Sequence, residues 1–171
     1  NIKKVEELES KYEAYQYYLD AVKRDGVAYE LITKALPTIE GEVNNILSQL
    51  VDFQMLFEMD GKNINNYIVY DDDNVWPLEL SSGMERFISS LAIRVGLINV
   101  SNLPRSNFLA IDEGWGTMDS DNINSVYSLF QYLKSQFQFA LIVSHIDSMR
   151  DAVDTLLEIK KDKNYSSIIF D

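Results

Sequence analysis

Apolar residues in the first 24 positions recur at heptad spacing, with Val5, Tyr12 and Leu19 at one seam position and Leu8, Tyr15 and Val22 at the other. Two readings account for this pattern: an arm of a coiled coil, or one amphipathic helix packed on its own domain. Asp25-Gly26 ends it either way. A second helix is predicted over 29–50, broken near Leu36 and restarted at Pro37, because the proline ring blocks a hydrogen bond in a helix interior. Strand-like stretches at 51–59 and 63–70 flank Asp60-Gly61-Lys62, the pattern of a β-hairpin with its tight turn at Asp60-Gly61. The acidic run Asp71-Asp72-Asp73 then reads as a solvated loop, since no spaced set of oxygen ligands follows it as a calcium loop requires.

From residue 80 onward helix and buried strand alternate, the pattern of an α/β layer with a mostly parallel sheet flanked by helices. Met84, Phe87, Ile88, Leu91, Val95 and Ile98 mark one helix. The unbroken apolar runs 108–111 and 139–143 suit strands covered on both faces. Ile123, Val126, Phe130, Leu133 and Phe137 form the stripe of a crossover helix between them, so the two strands are expected to be parallel neighbours or near-neighbours. Strands at 155–160 and 166–170 follow.

The 171 residues are 46% hydrophobic, enough for one buried core. There is no cysteine, which excludes disulfides, thiolate zinc sites and cysteine nucleophiles and fits a reducing compartment. No apolar run approaches the roughly 20 residues that span a bilayer, so the expectation is a soluble intracellular protein with no membrane partner. Acidic side chains outnumber basic ones 27 to 15, a net charge of −12. Such a surface opposes direct contact with a polyanion, so any DNA must be held by positive charge from elsewhere.

The strongest local signal for chemistry is Phe108-Leu109-Ala110-Ile111-Asp112-Glu113, which delivers two adjacent carboxylates to the C-terminal end of a strand. Ligands bind at that edge in open α/β sheets. Phosphoryl transfer needs a carboxylate for magnesium and a means to orient water, and here Asp112 would hold the metal and Glu113 the water. Asp119 lies six residues on, and His145, the single histidine, ends the next apolar strand, where it can donate to a phosphate oxygen. Leu80-Ser81-Ser82-Gly83-Met84 stands directly before a long helix, where hydroxyls and backbone N–H groups form an anion site. A capping box at Ser82 and Glu85 would start the same helix without any ligand.

Taken in order, these pieces resemble the C-terminal lobe of ABC-type ATPase heads, and most closely the SMC-like, SbcC-type DNA-repair ATPases. Residues 80–84 look like the signature loop, Asp112-Glu113 like the Walker B acids, Met118-Asp119 like the D-loop and His145 like the switch histidine. Residues 1–26 then match the returning coiled-coil arm, and 27–171 the lobe itself. The resemblance implies ATP and Mg²⁺ as ligands, with Ser81, Ser82, Gly83, Met84 and Asp119 at the nucleotide, Asp112 at the metal, and Glu113 and His145 in catalysis. Ser81 matches the signature serine, which in the family meets the γ-phosphate held by an opposing head. It also implies a second head as partner, an SbcD-type nuclease and DNA handled by the assembled complex. A true SMC or RecN-like head, a non-catalytic dimerisation module and a transporter subunit are the alternatives. Departures from the family pattern fall at Ser82, Met84 and Gly114, and Arg86 stays unassigned.

A phosphate loop requires Gly-x-x-x-x-Gly-Lys-Ser/Thr. At the single Gly-Lys, Gly61-Lys62, Leu56 occupies the place of the first glycine and Asn63 that of the hydroxyl. The expectation is a half-head that an N-terminal lobe with the phosphate loop must complete.

Overall fold

The computed structural model describes residues 2–61, 63–112, 115, 123–163 and 165–170. Helix α1 (Ile2–Ala21) buries none of its residues, and all six heptad positions from Val5 to Val22 are at least half exposed. Helix α2 (Val27–Leu47) follows a short turn at Gly26, where a side chain would collide with the Asp20 and Ala21 carbonyls.

Pro37 does not break α2, contrary to the expectation. The carbonyl deprived of a partner belongs to Thr33, which is exposed, as Pro37 is, so water can satisfy it. Beyond the proline, Leu36, Val43, Ile46 and Leu47 are buried, and this packing holds the helix through its weak point.

Helix α3 (Gly83–Val100) packs along α2. The closest approach is at Gly96, where an added Cβ would lie 3.0 Å from Val43 Cγ2. Gly96→Ala gains helix propensity of about 1 kcal/mol, but overpacking against Val43 at a fully buried site costs about 1–3 kcal/mol. The expected result is a lower midpoint in urea at unchanged slope. A higher midpoint would show that α2 and α3 can move apart at no cost.

Strands β1 (Gln54–Met59), β2 (Ile64–Asp71) and β3 (Asn74–Pro77) form an antiparallel meander. Gly61, at φ +84°, occupies the predicted turn between the first two. The acidic run makes the second turn, with the Asp71 carboxylate accepting from the backbone N–H of Asp73 and from Asn74 Nδ2. The free edge of β1 is closed by α2: Asn44 exchanges two hydrogen bonds with Met55 (2.8 and 2.9 Å), and Glu40 accepts from Phe57 N (2.8 Å). Nothing in the spacing of β1 announces that third strand or this side-chain edging.

Strands β4 (Phe108–Asp112) and β5 (Phe139–Val143) pair in parallel, joined through α4 (Ile123–Gln136). They are not covered on both faces. Leu109, Ile111 and Ile142 pack on the core, while Phe108, Phe139, Leu141 and Val143 are each more than 40% exposed. Among the described residues helices supply a layer on one side of this pair only, and the stacked Phe108 and Phe139 rings begin an open apolar face. The last strands, β6 (Leu157–Asp162) and β7 (Tyr165–Phe170), form an antiparallel hairpin.

Trp115 is nearly fully buried, with its ring 4.8 Å from Phe87 of α3 and 5.4 Å from Phe130 of α4. It ties the segment after β4 to both helices.

Candidate functional site

The start of α3 is the best-defined part of the site. Ser82, extended at φ −64° and ψ 162°, caps the helix, and its Oγ accepts from Glu85 N (3.3 Å). Glu85 returns the contact by accepting from Ser82 N through Oε2 (2.6 Å). The capping box is therefore real, yet it does not use up the helix end. Among the described residues the N–H groups of Gly83 and Met84 have no hydrogen-bond partner, and a helix N-terminus with free N–H groups attracts anions. The capping and anion-binding readings of this loop are thus compatible.

Ser81 is buried, and its hydroxyl donates to the Leu78 carbonyl (2.7 Å), closing a single 3₁₀ turn over Leu78–Leu80. To meet a phosphate that hydroxyl must rotate away from Leu78. Leu80, by contrast, is 76% exposed and stands at the lip of the loop.

The second oxygen of Glu85 accepts from Tyr70 Oη (2.6 Å). Tyr70 is stacked on Trp76, 5.4 Å between ring centroids, and tilted against Phe53. Partial burial, followed by the bond to Glu85, pushes the Tyr70 hydroxyl up to about 12. Burial acts to raise Glu85, but hydrogen bonds from Tyr70 and Ser82 outweigh it and hold the carboxyl below its usual range. The cap is consequently at full strength above the ordinary carboxylate range and weakens as pH falls through the lowered value. A cavity of about 520 Å³ opens beside this cluster, lined in part by Asp52, Tyr70, Ser82 and Glu85.

A second group of candidate residues stands at the C-terminal edge of the parallel pair. Asp112 is the last residue of β4 and lies in register with Val143, the last of β5, so His145 follows two residues beyond the neighbouring strand end. Asp112 and His145 are both exposed, and their side chains have no hydrogen-bond partner among the described residues. Ser144 Oγ accepts from Ile146 N (3.1 Å), which folds the chain around His145. Glu113 and Asp119 lie outside the described residues. No group of three or more acidic or histidine side chains that could hold a metal occurs among the described residues. One free carboxylate nonetheless suits Mg²⁺, which takes one or two from protein and completes its shell with phosphate oxygens and water.

No described helix is long and apolar enough to cross a membrane. The fold is that of the SMC head domain. An SMC ATPase chain solved in work on ATP-driven dimerization and DNA-stimulated activation superposes with a TM-score of 0.68 at 14% identity, covering 82% of this chain and 88% of that one. The Smc head domain with coiled coil and joint from Pyrococcus yayanosii superposes with a TM-score of 0.67 at 16% identity, covering 98% of this chain and 33% of that one.

Over part of its length the chain is similar in sequence to an SbcC protein. It is 32% identical over 93 residues to the SbcC protein of the SbcCD nuclease of Staphylococcus aureus, which is 52% of this chain and 9% of that protein. It is also 36% identical over 171 residues to an uncharacterized protein of Acanthamoeba polyphaga mimivirus, which is 91% of this chain and 13% of that protein. The chain therefore spans only about a tenth of these relatives' lengths. No family model matches the sequence.

Proposed function

We propose that this chain is the C-terminal half of an ATP-hydrolysing head. Completed by an N-terminal lobe that carries a phosphate loop, it binds Mg-ATP, pairs with a second head across two shared nucleotides, and hydrolyses them with Glu113 orienting the attacking water. The observation that carries this reading is the placement of Asp112 and His145 at the same end of two adjacent parallel strands. Asp112 holds Mg²⁺ there, Glu113 is the next residue in the chain, and His145 donates to phosphate oxygen. The free N–H groups of Gly83 and Met84, flanked by Ser81, Ser82 and exposed Leu80, form a surface for the γ-phosphate of ATP on the opposing head. Asp119 lines the same nucleotide.

Two apolar surfaces support the completing parts. The open face of β4 and β5 suits a second layer of structure from the N-terminal lobe, and the exposed heptad seam of α1 suits the other strand of a coiled-coil arm over residues 1–26. The likeness to a component of a nuclease supports a role in DNA-end processing beside an SbcD-type nuclease. With a net charge of −12, this lobe leaves most of the DNA contact to the rest of the complex. A true SMC or RecN-like head is the second reading, favoured by the SMC structures the fold superposes on.

On its own the chain is expected to bind ATP weakly or not at all, because two acids and a signature loop cannot replace the N–H cradle and lysine that hold the β- and γ-phosphates. Supplying the N-terminal lobe as a second chain restores binding at one nucleotide per head and drives heads together. Calorimetry on the chain and on the mixture, with light scattering for pairing, checks both halves. Tight stoichiometric binding by the chain alone would overturn the half-head reading. A mixture that pairs without ATP leaves the dimerisation module in its place.

A further inference from the structure

The hydrogen bond from Tyr70 to Glu85 joins two parts of the lobe that the proposed chemistry does not otherwise connect. Tyr70 belongs to β2 of the meander, and Glu85 to the first turn of α3. The tyrosine ring stacks on Trp76 from β3 and meets Phe53 before β1 at a tilt, and these two contacts orient its hydroxyl. Each Glu85 oxygen has one partner: Oε1 accepts from Tyr70 Oη and Oε2 from Ser82 N, both at 2.6 Å. A carboxylate engaged at both ends cannot swing.

That restraint matters because of where Glu85 sits. Its charge lies within one turn of the N–H groups of Gly83 and Met84, which have no partner among the described residues. A free glutamate there would compete for the same N–H groups and would repel an arriving phosphate. Held by Tyr70 and Ser82, it stabilises the cap and leaves Gly83 and Met84 available.

We propose that Tyr70 is a positioning residue for head pairing: by donating to Glu85 it fixes the capping box, so that the Gly83 and Met84 N–H groups stay open to the γ-phosphate of ATP on an opposing head. This role rests on the half-head function proposed above. It makes the β1–β3 meander a support for the nucleotide-facing loop, so that displacement of β2 or β3 changes the affinity of one head for another. Tyr70 touches no nucleotide in this scheme and acts only through Glu85.

The test uses the full-length protein with its phosphate-loop lobe, comparing parent, Tyr70→Phe, Glu85→Gln and the double variant. Phenylalanine keeps the ring stacking and removes only the hydroxyl. The expected result for Tyr70→Phe is a loss of about ten-fold in ATP-driven pairing, the scale of one hydrogen bond to a charged group, with ATP affinity of the separate heads within about two-fold of the parent. The double variant is expected to pair no worse than Glu85→Gln, because the two side chains act as one unit. A purely structural tyrosine would instead lower the melting temperature and leave pairing at the melting-corrected parental level. A parent that pairs with ATP and a Tyr70→Phe variant that pairs equally well would overturn this role alone. A parent that does not pair with ATP overturns the half-head function and this role with it.

Discussion

Glu113→Gln in the completed head is expected to lower ATP turnover by about 10²–10⁴-fold, the range associated with losing a positioned general base. Glutamine has the shape of glutamate and still accepts a hydrogen bond, but it cannot take a proton from the attacking water. Glu113 directly follows in sequence Asp112, the last residue of β4, which itself lies at the edge shared with His145. ATP binding is expected to persist, because in the proposed head the other lobe holds the phosphates and Asp112 the metal. Paired heads should accumulate for the same reason, since the nucleotide that bridges them is no longer consumed. Single-turnover hydrolysis and light scattering on one sample measure both effects. Undiminished turnover in the variant would assign the water-orienting role to another residue.

Ser81→Arg is expected to weaken ATP-driven pairing by about 10²-fold, the scale of overpacking a close-fitting interface with a bulky side chain. Ser81 lies beside Ser82 and the free N–H groups of Gly83 and Met84, so a long side chain there obstructs the approach of an opposing nucleotide. Ser81 is itself buried and bonded to Leu78, so the substitution also loosens the turn before α3, by about 0.5–1.5 kcal/mol. Gly83→Pro separates the two effects. Proline is favoured at the first position of a helix, and Ser82 already has the extended backbone that precedes a proline, so α3 should form normally while one N–H is removed. Pairing is then expected to fall with little change in melting temperature. If Ser81→Arg melts at a lower temperature yet pairs with ATP as the parent does, the loop is a cap and nothing more.

Much of this site is legible in the chain itself. The run Phe108-Leu109-Ala110-Ile111-Asp112 can be little else than a strand ending in an acid, and Ser82-x-x-Glu85 before an apolar periodic stretch specifies a capped helix. These are local rules: period, cap chemistry and turn residues act over a few positions, and residues near in sequence suffice to read them. The same locality explains the hairpin at Gly61 and the crossover from β4 to β5. It also explains the mistake at Pro37, because the local rule against proline in a helix was right about the lost hydrogen bond. What it could not weigh was the packing of Val43, Ile46 and Leu47 that carries α2 past the exposed Thr33 carbonyl.

The amino-acid sequence by itself determined the order of elements, the acids at the end of β4, the cap of α3 and the absence of a phosphate loop, since each depends on residue types at short fixed spacings. Tertiary structure alone decided which polar groups are engaged and which are free. Tyr70 meets Glu85 across 15 positions and Asn44 edges β1 across 11, and no periodicity carries such pairings. An unbroken apolar strand looks the same whether one face or two are covered, so only the packed chain reveals that Phe108, Phe139, Leu141 and Val143 stand open. Burial is a property of what arrives from elsewhere in the fold, and hydrogen bonds between distant side chains form only once that packing has brought them within about 3 Å.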